Sequence, residues 1–345
     1  MDILSLSVEE LSAHLVGEGH PAYRARQVFE WIYHKQIVDP TLMTSLPKPL
    51  RDLLGGHLPF PVLIEGQRQV SRDGTIKFLW ELSDGQRIES VFIPMRGHAT
   101  LCISSQAGCK FGCGFCASGL GGWKRNLSTG EIIAQVLQAM RAVRPQIITH
   151  IVFMGVGEPF DNAENVFKAV RILNAPEAFG IAARRITIST CGVVPGIKAM
   201  AQSGLQLELS VSLHASNDRL RSCLMPVNKK YPLKDLIAAC REYALKTRRQ
   251  VTFEYIGIRD LTCTPRAAQE LSGLLQGWLC KVNLIPYNPV AEFPFQPAAE
   301  EERTGFERAL RSAGVPVTHR TPRGRDISAA CGQLRHGLQK RGRVG

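Results

Sequence analysis

Thr100-Leu101-Cys102-Ile103-Ser104-Ser105 runs straight into Gln106-Ala107-Gly108-Cys109-Lys110-Phe111-Gly112-Cys113-Gly114-Phe115-Cys116, and this junction decides the fold. The first half reads as a short buried strand over Leu101–Ser105, and the second as a glycine-rich loop holding three thiols. Thiolates suit iron–sulfur clusters and zinc alike. No fourth Cys or His follows at a zinc-ribbon spacing, so a four-iron cluster here would keep one iron open.

Downstream, further short strands alternate with helical patterns: Ile148–Met154, Arg185–Thr190, Leu207–His214, Val251–Ile256 and Lys281–Pro286. Ser128 with Glu131 three residues on predicts a capped helix, and Leu233 to Leu245 is amphipathic. With Leu101–Ser105 this makes six strand–helix units, which predict a parallel sheet and an α/β partial (β/α)6 barrel with functional residues at strand ends. A doubly wound open sheet is the structural alternative.

Upstream, Ser7 and Glu10 form a possible capping box, and a second amphipathic run spans Ala22 to His34. Between Pro61 and Pro94 apolar residues alternate and break at Asp73-Gly74 and Asp84-Gly85, which are hairpin signals. The expected organisation is a helical accessory domain over 1–60, a β-meander linker over 61–97, the barrel core over 98–331 and a basic tail over 332–345. That tail carries Arg335, Lys340, Arg341 and Arg343.

In this chain of 345 residues, Lys and Arg number 42 against 30 Asp and Glu, an excess of 12 that favours a polyanionic partner or serves as solubilising charge. No apolar run approaches the ~18 residues of a membrane span, and Met1-Asp2-Ile3 lacks a basic signal region. A cytoplasmic protein without membrane contact is expected, and its ten cysteines should be reduced thiols.

The C-x3-C-x2-C spacing of Cys109, Cys113 and Cys116, with Phe115 before the third, resembles the signature of radical S-adenosylmethionine (SAM) enzymes. Gly155-Val156-Gly157-Glu158-Pro159 resembles that family's GEP motif. From about Ser7 to Leu334 the chain is similar to the RlmN/Cfr family of adenosine methyltransferases. The blocks that carry this are Thr100–Gln106, Ile188-Ser189-Thr190-Cys191-Gly192-Val193-Val194-Pro195, Val211-Ser212-Leu213-His214-Ala215, Asn283–Pro289 and Ala330-Cys331-Gly332-Gln333-Leu334.

The resemblance implies a [4Fe–4S] cluster on Cys109, Cys113 and Cys116, with SAM held by Gly157, Glu158, Ser189, Ser212, Leu213, His214 and Asn288. It implies two SAM per turnover. One methylates Cys331; the other yields a radical that activates the S-methyl group for addition to adenine. Cys102 then resolves the protein–RNA adduct by forming a disulfide with Cys331. Glu89 matches a position acting as proton acceptor or as hydrogen-bond partner of the base. The remaining cysteines, Cys191, Cys223, Cys240, Cys263 and Cys280, read as small buried hydrophobes.

The implied partners are 23S ribosomal RNA, a tRNA as second substrate and an electron donor such as flavodoxin, and the chain is expected to be a monomer. One branch of the family methylates adenine C2, the other C8 with antibiotic resistance. The N-terminal portion looks like the C2 branch, although Cys116-Ala117-Ser118-Gly119 departs from the Ser-Thr-Gly usual there. Trp123-Lys124-Arg125-Asn126 is a candidate RNA contact. The reading of another class is an RNA-binding protein whose cluster is structural.

Overall fold

The computed structural model describes residues 2–61 and 63–335; Lys340, Arg341 and Arg343 of the expected basic tail lie outside the described residues. Helix α1 (Val8–Gly17) starts at the expected capping box: the Ser7 hydroxyl accepts from the Glu10 N–H, and the Glu10 carboxylate accepts from the Ser7 N–H. Helix α2 (Arg24–Phe29) runs on as a π turn over Glu30–His34, and α3 (Lys48–His57) completes the N-terminal helices. They pack through Leu11, Leu15, Val28, Phe29, Ile32, Leu50 and Leu54, all buried.

Strands β1 (Leu63–Val70), β2 (Ile76–Leu82) and β3 (Arg87–Met95) form two successive antiparallel hairpins that turn at the expected Asp-Gly pairs. Gly74 and Gly85 supply the left-handed residue each turn needs, with φ of 81° and 77°. Strand β4 (His98–Cys102) is antiparallel to β3 and parallel to the strand that follows it in the sheet, so the hairpins and the barrel share one sheet.

Beyond a short ladder, β5 (Gln106–Ala107) with β6 (Arg125–Asn126), the chain alternates. In order come α4 (Thr129–Ala142), β7 (His150–Phe153), α5 (Ala163–Asn174), β8 (Ile186–Thr190), α6 (Val194–Gln202), β9 (Glu208–Ser212), α7 (Asp218–Leu224) and α8 (Leu233–Thr247). Then follow β10 (Val251–Gly257), α9 (Pro265–Leu275), β11 (Cys280–Pro286), α10 (Glu300–Ser312) and β12 (Val317–His319). The sheet runs β1-β2-β3-β4-β7-β8-β9-β10-β11-β12, parallel from β4 onward, and among the described residues its two ends do not pair. The result is an open barrel.

Two details differ from the sequence reading. The parallel part has seven strands, because three-residue β12 pairs with β11 (Val282↔Val317) and is too short to leave a periodic signal. The first of them ends at Cys102 rather than Ser105. The Ser104 and Ser105 N–H groups leave the ladder and donate to the Gln135 side chain and the Val156 carbonyl.

Alternation along the strands sorts residues to two faces. Phe253 and Tyr255 of β10 point outward, where they meet Trp278 and Phe306 under the helix layer. Glu254 and Ile256 on the same strand, like Asn283 and Ile285 on β11, face the barrel lumen and line its cavities.

Candidate active site

The loop after β4 carries the three expected thiols, and Cys109, Cys113 and Cys116 all line one cavity at the C-terminal ends of the parallel strands. The cavity has about 980 Å³ of empty space including its mouth, the size of a small-molecule site. Of the expected cofactor contacts, Gly157, Glu158, Ser189, Ser212, His214 and Asn288 line it too. The Leu213 side chain points instead into the hydrophobic core, leaving its backbone beside the site.

Burial pushes the Cys109 thiol up to about 12, Cys113 well above the ordinary range, and Cys116 upward as well. Without a metal these thiols stay protonated at neutral pH. Among the described residues no group of three or more His, Cys, Asp or Glu is arranged to hold a metal ion. Three thiols lining one cavity fit an iron–sulfur cluster, one thiolate to an iron.

Glu158 is buried, and both its oxygens accept backbone N–H groups: Oε1 from Phe160 at 3.0 Å and Oε2 from Cys191 at 2.6 Å. Burial raises its pKa and these bonds oppose the rise. Gly157 before it has φ of 109°, and a Cβ there would come within 2.6 Å of Gln106. The turn that aims Glu158 into the cavity therefore requires glycine.

His214 has a left-handed backbone, φ of 57°, and its Nδ1 accepts the Ile256 N–H at 3.2 Å. Burial, with the Arg221 charge nearby, pushes its pKa down to about 3. The ring is neutral with its proton on Nε2, a donor edge for a ligand. Phe115 packs edge-on against it at 4.8 Å.

The last described segment is laid across the thiol loop. Ala117 N–H donates to the Gly332 carbonyl at 2.7 Å, the Ser118 hydroxyl to the Leu334 carbonyl at 2.9 Å, and the Asn288 amide to the Cys331 carbonyl at 3.2 Å. These bonds put Cys331 in the cavity wall, near Cys102 and Cys116, whose pKa values it helps to raise. Cys102 is buried behind that wall among Val91, Val156 and Ala329, and burial, with Cys331 adding to it, pushes its thiol up to about 12.

Glu89 is buried on β3 and lines no described cavity. Its carboxylate pairs with Lys77 Nζ at 3.3 Å and accepts the Arg335 N–H at 2.7 Å, while its carbonyl accepts the Ser104 hydroxyl. Burial raises its pKa against the pull of Lys77.

Sequence reasoning missed four residues of the site. Cys191, read as a core hydrophobe, lines the cavity beside Glu158; its place at the end of β8 was the available signal. Arg320 lines the cavity near Cys331 and Cys102, one step past β12. Glu254 faces the lumen and accepts from Ser210 and Asn283.

Arg221 is fully buried behind the site. It donates to the carbonyls of Cys191, Ser212 and Leu213 and to the Asn228 side chain, tying the ends of β8 and β9 together. Of the other cysteines, Cys240, Cys263 and Cys280 are buried as expected and Cys223 is exposed. Arg125, a candidate RNA contact, is consumed by Glu131 and Asp84, whereas Trp123 and Lys124 beside it are exposed.

Residues 103–263 match the model of the radical SAM superfamily, and residues 1–58 match that of the ribosomal RNA large subunit methyltransferase N-terminal domain. A probable dual-specificity RNA methyltransferase RlmN from Geobacillus kaustophilus is 45% identical over 96% of this chain and 92% of its own length. One of the same description from Halalkalibacterium halodurans is 46% identical with the same coverage. The crystal structure of a radical SAM methyltransferase from Sphaerobacter thermophilus superimposes with a TM-score of 0.94 at 48% identity, covering 97% of this chain and 99% of that one.

Proposed function

We propose, from the premise that this chain belongs to the RlmN family of radical SAM RNA methyltransferases, that it methylates C2 of an adenosine in 23S ribosomal RNA, with a tRNA adenosine as second substrate. The observation that carries this reading is that Cys331 lines the same cavity as Cys109, Cys113 and Cys116, with Cys102 buried behind that wall among Val91, Val156 and Ala329. An adenine ring carbon is too poor a nucleophile to take a methyl from a sulfonium, whereas a thiolate is a good one.

In this reading Cys109, Cys113 and Cys116 hold a [4Fe–4S] cluster. Glu158, Gly157, Ser189, Ser212, His214, Asn288 and the Leu213 backbone hold SAM, two molecules of which are used per turnover. When bound, cluster and SAM supply one-electron cleavage chemistry and an activated methyl group, with an electron from a donor such as flavodoxin.

The chain's own residues do the rest. Glu158 offers a buried carboxylate to the SAM ammonium, and His214 Nε2–H offers a donor. Cys331 Sγ accepts the methyl group and carries it to the base. Cys102 Sγ attacks Cys331 Sγ: the disulfide forms as the carbon–sulfur bond to the base breaks, the electron pair stays on the methyl carbon, and a proton equivalent to the one the Cys102 thiol gives up completes the methyl group. The resemblance gives Glu89 proton uptake or a bond to the base; its carboxylate is engaged by Lys77 and the Arg335 N–H and lines no described cavity, so that role requires those contacts to open. The N-terminal helices hold RNA.

Nucleoside analysis of ribosomal RNA and tRNA from cells with and without the gene tests this. Loss of 2-methyladenosine from both RNAs is expected on deletion. A change in 8-methyladenosine would reassign the carbon, and an unchanged tRNA would remove the second substrate.

A further inference from the structure

A second cavity opens on the lumen toward the strand starts. His98 and Thr100 of β4, Lys281 and Asn283 of β11, and Arg320 and Arg323 beyond β12 line it. It meets the first cavity at a shared wall made of Ile285, Asn288, Arg320 and Cys331.

Its charge is one-sided. Among the described residues none of those lining it is Asp or Glu, while Lys281, Arg320 and Arg323 bring three cations. The carboxylates around it are already engaged: Glu254 by Ser210 and Asn283, Glu307 by His319 and Arg311, Asp73 by Thr75 and Gly324. Lys281 is half-exposed and has no hydrogen bond or ion pair among the described residues. Arg323 reaches Asp73 only at 4.0 Å, and Arg320 Nη1 meets the Met154 sulfur, a weak acceptor.

The floor near Cys331 is different in kind. Ile93, Val152 and Ile285 add apolar lining that suits the face of a flat base, and of the cations Arg320 shares the wall with Cys331 while Lys281 and Arg323 line the second cavity alone. Cys331 opens to this cavity as well as to the first, so a substrate can reach it from the side away from the three thiols. A base that reacts there must leave its stack, bringing its flanking phosphates to the cavity mouth.

We propose that this second cavity seats the target nucleotide, the base reaching Cys331 through the shared wall while Lys281 and Arg323 hold the flanking phosphates. The inference rests on the RNA methyltransferase reading above and names where its substrate enters.

The test uses the anaerobically prepared holoenzyme and a protein-free 23S ribosomal RNA transcript, with Kd measured across a salt series. Lys281→Glu should weaken binding at least tenfold, and Lys281→Ala should lower the slope of log affinity against log salt by about 0.9, the loss of one phosphate contact. Arg323→Gln should act in the same direction. SAM cleavage without RNA and iron content should match wild type in each, so a folding defect cannot imitate the result.

Lys246→Glu, on the exposed end of α8, controls for bulk charge and should change Kd less than twofold. Equal weakening by Lys246→Glu and Lys281→Glu, or wild-type affinity in Lys281→Glu and Arg323→Gln together, overturns the cavity assignment while wild-type methylation of the transcript keeps the enzyme reading intact. A wild type that cleaves SAM yet methylates no RNA sinks the enzyme reading and the cavity with it.

Discussion

Cys331 and Cys102 sit at one wall with different surroundings, Cys331 opening to both cavities and Cys102 buried behind it. Consecutive rather than interchangeable roles should make their variants equally inactive but chemically distinct. Cys331→Ala removes the methyl acceptor, so the protein should carry neither methyl nor RNA. Cys102→Ala leaves acceptance and addition intact but cannot resolve the adduct, so RNA should remain attached to Cys331. A denaturing gel with nuclease treatment, followed by mass analysis of the Cys331 peptide, reads both outcomes; normal turnover by either variant would mean that the methyl travels another way. The thiols were legible in the sequence because each lies in a recognisable block. Arg320 was not, since a lone arginine after a three-residue strand has no pattern around it until β12 pairs with β11 and turns it toward the lumen.

At the scale of elements, the turn between β1 and β2 clasps the segment that leads to Cys331. Asp73 accepts from the Thr75 and Gly324 N–H groups, Asp326 accepts from the Ser71 hydroxyl, and Lys77 donates to the Ser328 carbonyl. Burial opposes ionisation of Asp73, but hydrogen bonds from Thr75, Gly324 and Ser71 outweigh it and hold the carboxyl down to about 2. A depressed carboxyl stabilises the fold above its unfolded value and loses that contribution as pH falls through the folded one. The clasp should therefore weaken between about pH 4 and pH 2, by about 1 kcal/mol once solvent screening of this exposed carboxylate is allowed for. Asp73→Asn should be less stable at pH 7 by about 1–2 kcal/mol and show a flatter acid dependence than wild type in denaturant titrations across that window. Wild-type stability in the variant would exclude the clasp as a source of rigidity. Arg221 makes the matching link on the other side. Arg221→Met strips donors from three buried carbonyls and the Asn228 amide, and should cost about 3 kcal/mol or more by urea unfolding. A loss below 1 kcal/mol would mean that water or a neighbour replaces it. Neither link was readable beforehand. The capping boxes at Ser7 and Ser128 and the Asp-Gly turns were, because their partners lie within a few residues, whereas Asp73–Gly324 and Arg221–Cys191 join positions that only the finished sheet brings together.

Across the whole molecule, the N-terminal helices are held to the barrel at a tight junction around Ser5 and where buried Tyr33 meets Phe179 edge-on at 4.9 Å, and the proposed RNA role of those helices depends on that docking. Ile3 and Leu4 are buried, the Ser5 hydroxyl accepts the Gly130 N–H at 2.8 Å, and Ser5 is in turn held by the Asp2 carboxylate. A Cβ at Gly130 would overlap that carboxylate. Two further links, Lys168–Glu10 at 2.8 Å and His34 to the Glu177 carbonyl at 3.2 Å, lie on the exposed surface and contribute little. The sign of one substitution therefore reports on the junction. Gly130 lies in the first turn of α4, and in a free helix alanine would be favoured there over glycine by up to about 1 kcal/mol. If the junction is as tight as the packing indicates, Gly130→Ala should instead destabilise by about 1 kcal/mol or more, because Asp2 and Ser5 must move together. RNA affinity should fall with it, while SAM cleavage without RNA, which uses only the barrel cavity, should stay near wild type. Melting curves, filter binding and 5′-deoxyadenosine formation separate the three effects. A Gly130→Ala protein that melts higher and binds RNA as before would show that the N-terminal helices are docked loosely, and that RNA is gripped by the barrel alone.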